Sequence, residues 1–114
     1  MDNKPLTPQQ QLDAIKDSVK IKQETLDKYL GGIEVVIELL KEKPQGRKEI
    51  ANELSDMYLN PYFIRFMFEA GIIQKIDSIY YVLTEVSSDP VRHKLAVALY
   101  FNYNKNYKKQ YAKF

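Results

Sequence analysis

Apolar residues recur at Leu12, Ile15, Val19, Leu26, Tyr29 and Ile33, at spacings of three, four and seven. Lys22 occupies the one missing position, so the pattern predicts an amphipathic helix with a narrow, coiled-coil-like stripe. Thr7-Pro8 followed by Gln10 marks its start: threonine caps, proline suits the first helical position, and glutamine completes a capping box. The adjacent Gly31-Gly32 is expected to break or bend this helix, because glycine is the weakest helix former after proline. A strongly apolar helix, IEVVIELLKEK, then runs from Ile33 to Lys43 and stops at Pro44-Gln45-Gly46.

The next segment, Arg47 to Ser55, puts Ile50, Ala51 and Leu54 on one face, as an inward-facing helix requires. DMYL reads as a tight turn, and Asn60-Pro61 as a second cap-plus-proline start. The helix it opens is expected to reach about Ala70, with Gly71 as its C-terminal stop. Two β-rich runs, IIQKI and IYYVLT, flank Asp77-Ser78 and predict a hairpin. Ser88-Asp89-Pro90 caps a last helix that extends toward the end of the chain.

At 114 residues and 13.4 kDa the chain is long enough for one compact core and too short for two. With 45% hydrophobic and 28% charged residues, its composition is that of a globular rather than a disordered chain. No apolar run approaches the length of a membrane span, and MDNKPLTPQQ has neither the basic nor the apolar region of a signal peptide. The absence of cysteine excludes disulfide and thiolate chemistry and fits a cytoplasmic protein. Net charge is only +2, but it is unevenly spread. Residues 101–114 hold four lysines and no acid, which leaves 13 basic against 15 acidic residues elsewhere. The body is slightly acidic and the tail basic, compatible with phosphate contact and equally with the solvated face of a helix.

KEIANEL, LNPYFIRFMFEAGII and QKIDSIYYVLTE together resemble the winged helix-turn-helix superfamily: a small residue inside the second helix, a glycine closing the third, and a Y-x-L-T strand closing the wing. More narrowly, the chain is similar to small archaeal winged-helix DNA-binding proteins with a short wing and a long C-terminal helix. The resemblance covers roughly residues 33–110. It implies a mainly α fold with a small β-hairpin wing, double-stranded DNA as the ligand, and pairing of two subunits through the last helix. The expected organisation is an N-terminal accessory helix over 1–32, a winged helix-turn-helix over 33–86 and a C-terminal helix over 87–114.

A helical wheel at about 100° per residue groups Phe63, Met67 and Ala70 on one side of the third helix, flanked by Ile64 and Phe66. The outward strip is then Tyr62, Arg65 and Glu69, with Phe68 at its margin and Asn60 at the helix start. Arginine and asparagine can address base edges, so Asn60, Tyr62 and Arg65 are the candidate readers, a sparse set. Arg47 and Lys48 begin the second helix, where positive charge and free amides favour phosphate. Lys75 in the first wing strand and Ser78 at its tip are placed to touch the backbone. The plain alternative is that these are solvated surface residues.

In the last helix Tyr100, Tyr103, Tyr107, Tyr111 and Phe114 fall near a heptad spacing, preceded by Val91, Leu95 and Ala98. The expected dimer interface is Val91, Leu95, Tyr100, Tyr103, Tyr107 and Tyr111, because a long apolar surface marks a partner site. The competing arrangement packs the two terminal helices on each other within one subunit. Stacking of these tyrosines on single-stranded bases ranks below both.

Chemistry is not expected. His93, the single histidine, lies between Arg92 and Lys94, a poor setting for a general base. The acids are scattered rather than clustered as metal ligands, Glu34, Glu38 and Glu42 read as a solvated ladder, and the four glycines form no phosphate loop. No enzyme activity, cofactor or metal is therefore expected. The reading is a dimeric DNA-binding protein of the nucleoid, a transcriptional regulator or an architectural protein. The rival is a winged helix used as a protein-interaction module through Tyr58, Tyr62 and Phe68. A positive face shared by the third helix and the wing would favour DNA; an acidic or apolar one would favour a protein partner.

Overall fold

The computed structural model describes residues 5–111, with side chains to residue 106. The described residues form five helices and a small antiparallel sheet: α1 (Pro8–Ile15), α2 (Gln23–Glu42), β1 (Gln45–Gly46), α3 (Arg47–Asp56), α4 (Phe63–Glu69), β2 (Ile73–Ile76), β3 (Tyr80–Leu83) and α5 (Pro90–Tyr111). The chain is thus mainly helical with a small hairpin. Among the described residues, no helix is long and apolar enough to cross a membrane.

The expected start of the first helix is present. Thr7 Oγ1 accepts from the Gln10 amide at 3.2 Å, and Gln10 Oε1 accepts from the Thr7 amide at 2.9 Å. Its expected length is corrected, because the stripe from Leu12 to Ile33 is carried by two helices rather than one. Ser18 ends α1: its amide and its hydroxyl both donate to the Ile15 carbonyl, at 3.0 and 2.9 Å. Serine competes with the helical ladder in this way, and the β-branched Val19 and Ile21 that follow do not restore it.

The break expected at Gly31-Gly32 is absent; α2 runs straight through, so the boundary drawn at residue 32 falls inside a helix. Gly32 is buried, and a methyl group there would run into the side chain of Leu59. This glycine lets the α3–α4 turn approach the α2 backbone, and the packing gained offsets its poor helix propensity.

Phe63, Ile64, Phe66, Met67 and Ala70 are all buried, as the wheel requires. Gly71 closes α4 at φ 81°, with the Ile72 amide donating to the Met67 carbonyl and the Gly71 amide to Phe68, each at 3.0 Å. The hairpin forms with register Ile73↔Leu83 to Ile76↔Tyr80. Asp77 (φ 53°) and Ser78 (φ 61°) occupy its turn, the left-handed pair of a type I′ turn. β1 was not expected: Gln45 and Gly46, read only as a helix stop, pair with Tyr81 and Tyr80 and complete a sheet of order β1-β3-β2. Asp89 caps α5, its Oδ1 accepting from the Val91 amide at 3.0 Å.

Helix α5 packs on α1, α2 and α4. Leu95 and Tyr100, expected at a dimer seam, are instead core residues of the single chain. The Tyr100 ring lies 5.3 Å from Tyr29, 5.5 Å from Phe63 and 5.7 Å from Phe66 between centroids. Tyr103 packs on Tyr62 and Phe66 at 5.5 and 5.6 Å, and Val91 is half-buried. A heptad stripe suits an intramolecular neighbour as well as a second copy, and α1, α2 and α4 supply that neighbour. The side chains of Tyr107 and Tyr111, and Phe114, lie outside the described residues.

Burial, and then the Tyr100 hydroxyl beside it, push the Tyr29 phenol well above its ordinary value of 10.0. A raised folded-state value means that the stabilisation is complete below about pH 10 and is lost as pH climbs further, because only the unfolded chain then ionises. Tyr29→Phe is expected to flatten that alkaline loss, read as urea stability between about pH 9 and about pH 11.

Candidate nucleic-acid interface

The β1–β3 ladder brings the start of α3 to the hairpin. Gly46, the residue before Arg47, pairs with Tyr80 near the hairpin turn, and Gln45 pairs with Tyr81, itself opposite Lys75. Partners in register project to the same side of a sheet. One side therefore carries Gln45, Tyr81 and Lys75, and the other Gly46, Tyr80 and Ile76. Lys75 Nζ stands 5.6 Å over the Tyr81 ring.

Arg47 and Lys48 are exposed and take part in no ion pair or side-chain hydrogen bond among the described residues. Gly46, the residue before α3, offers no side-chain cap to the helix. These two cations are the part of the expected site that stands uncommitted, while Lys75 rests over Tyr81. Ser78 is exposed in the hairpin turn, as expected.

Arg65 lies on the outer face of α4 but is not free. Its Nε donates to Glu69 Oε1 at 2.9 Å, and its Nη1 donates to the Tyr62 hydroxyl. The guanidinium also stands 5.6, 5.4 and 5.3 Å from the ring centres of Tyr62, Phe66 and Tyr103. Glu69 first, then Tyr62, raise the Arg65 pKa; Tyr103 first, then Arg65, lower that of the Tyr62 phenol. Both groups are solvent-accessible, so the pairing is labile to salt and to a competing anion. As folded, Arg65 and Glu69 neutralise one another. Asn60 Oδ1 accepts from the Tyr62 amide at 2.9 Å, which leaves its side-chain NH2 without a partner among the described residues.

Sequence reasoning placed Tyr58 and Phe68 at the margin of this strip but missed the exposed apolar residues of the hairpin. Tyr58 is 89% exposed, Ile79 64%, Tyr80 46%, Phe68 45% and Ile76 37%. A signal existed: in Ile79-Tyr80-Tyr81 three apolar residues follow one another, and a strand with one buried face cannot turn all of them inward. The exposed surfaces of α4 and of the hairpin are therefore mixed, with a few cations, one neutral pair and several apolar side chains.

No group of three His, Cys, Asp or Glu among the described residues could hold a metal ion. His93 Nε2 lies 2.5 Å from the Ser87 carbonyl oxygen and ties the start of α5 to the preceding loop. No family model matches the chain, and no curated protein or solved structure matches it.

Proposed function

We propose that the chain is a winged helix-turn-helix protein that binds double-stranded DNA, with the hairpin as its wing. The observation that carries this reading is the junction of α3 with the hairpin: Arg47 and Lys48, both unpaired, follow directly on the strand residue that pairs with Tyr80 beside the wing turn. Lys75 lies one strand further across. Cations grouped in this way anchor phosphates, while α4 is the element offered to the major groove. At the start and on the outer face of α4, the base-reading donors are Asn60 and an Arg65 already engaged by Glu69. Backbone contact then dominates and sequence selectivity is modest, as suits an architectural protein of the nucleoid or a weakly selective regulator. A dimer, if it forms, needs a surface other than Leu95 and Tyr100, which the core occupies.

Fluorescence anisotropy with a labelled duplex at several salt concentrations tests the proposal. Each phosphate contact contributes about 0.9 to the slope of log affinity against log salt, so Arg47→Ala/Lys48→Ala should reduce that slope by about 1.8. Arg65→Ala should change it less. Equal, weak binding by all three proteins would remove the DNA reading. The second reading, a protein-interaction module, is favoured by the exposed Phe68, Ile76, Ile79 and Tyr80, since apolar surface of this kind is where protein partners dock.

A further inference from the structure

The chain closes two helices with the same backbone device and fills the critical position differently. At the end of α4, Gly71 takes the left-handed conformation, φ 81°. At the end of α3 the same pair of bonds forms: the Tyr58 amide donates to Ser55 at 2.9 Å and the Leu59 amide to Leu54 at 2.8 Å. Here the left-handed residue, φ 60°, is a tyrosine. Glycine is the usual occupant, because a Cβ there crowds the following carbonyl. The bonds to Ser55 and Leu54 and the burial of Leu59 hold the turn, but the tyrosine side chain adds nothing to them. The ring is 89% exposed and makes no hydrogen bond, ion pair or ring contact among the described residues. Strain held without an internal return points outward, to a contact that the folded chain does not contain.

The surroundings indicate what that contact is. Leu59 is buried against Gly32, which fixes the turn, and its chain neighbours Tyr58 and Asn60 are both exposed. The amides of Phe63, Ile64 and Arg65 are already taken by the carbonyls of Asn60, Pro61 and Tyr62, so the backbone at the start of α4 has little to offer an anion. Two side-chain donors remain there, the Tyr58 hydroxyl and the Asn60 NH2. We infer that Tyr58 is a DNA-backbone contact, its hydroxyl donating to a phosphate oxygen beside the groove that α4 addresses. The inference rests on the DNA reading above and adds to it a residue at the opposite end of α3 from Arg47. Tyrosine hydroxyls commonly fix register on a duplex through such phosphate contacts.

Two substitutions in the full chain separate strain from contact, each followed by thermal unfolding and by duplex anisotropy at low salt. Tyr58→Gly should raise Tm by roughly 3–8 °C through relief of the left-handed Cβ and weaken duplex binding roughly 5- to 20-fold. Tyr58→Phe keeps the strain and removes only the donor, so Tm should stay put while binding weakens to a similar extent. Wild-type binding retained in both variants would overturn the contact, as would a Tyr58→Phe protein that binds like wild type. A Tm that does not rise in Tyr58→Gly would show that the tyrosine is not held at a cost, and would overturn the argument from strain. If the wild-type chain itself shows no salt-dependent binding, the DNA reading falls, and Tyr58 falls with it as a phosphate contact.

Discussion

Phe63→Ala is expected to lower the stability of the fold by about 3–5 kcal/mol, the cost of removing a large aromatic side chain from a packed interior. Phe63 is fully buried at the first position of α4. It meets Tyr29 of α2 edge-on at 5.1 Å and Tyr100 of α5 at 5.5 Å, so one ring joins three helices. Against a total stability of about 5–15 kcal/mol for a domain of this kind, the loss brings the chain close to unfolding. Urea unfolding should show a lower midpoint with little change in slope. Phe68 provides the control, since it is the same residue type in the same helix but 45% exposed. Its replacement by alanine should cost under about 0.5 kcal/mol. If the two substitutions cost the same, α4 is not oriented as described, and the assignment of its outer strip fails with it.

That orientation was legible from spacing alone, and so were other features written in a few neighbouring residues. The Thr7–Gln10 box, the Gly71 stop, the hairpin turn at Asp77-Ser78 and the Asp89 cap each depend on contacts within six residues. The features that spacing could not decide depend on partners far along the chain. Gly32 sits inside a helix because Leu59 packs on it, twenty-seven positions away. β1 exists because Tyr80 and Tyr81 offer it a ladder; two residues have no strand signal of their own. The tyrosine stripe of α5 has one period whether it faces its own core or a second copy, and only Tyr29, Phe63 and Phe66 decide for the core. In the candidate site the same division holds. Arg65 was correctly placed on the outside of α4, but its capture beneath Tyr103 depends on α5. The strain at Tyr58 was hidden because a tyrosine in a turn announces nothing until its φ is known.

The end of α4 should prove the most sensitive backbone position near the candidate interface. Gly71→Ala is expected to cost about 2–4 kcal/mol, from two sources. A Cβ at φ 81° carries a penalty of about 1–2 kcal/mol by itself. The same Cβ would also run into the Arg92 guanidinium. Arg92 can swing aside, but Nη1 then gives up the Ala70 carbonyl, to which it donates at 3.1 Å, and Nε gives up Asp89, 3.5 Å away. Ala70 is buried, so its carbonyl loses a partner it cannot readily replace with water. Thr84 holds the next two carbonyls, its hydroxyl lying between those of Gly71 and Ile72, which makes the Y-x-L-T strand end a clamp on the α4 terminus. A double-mutant cycle separates the two costs. In an Arg92→Ala background the clash is gone, and Gly71→Ala should cost only the backbone part, about 1–2 kcal/mol. An equal cost in both backgrounds would mean that Arg92 does not confine this position, and that Thr84 rather than Arg92 secures the end of α4.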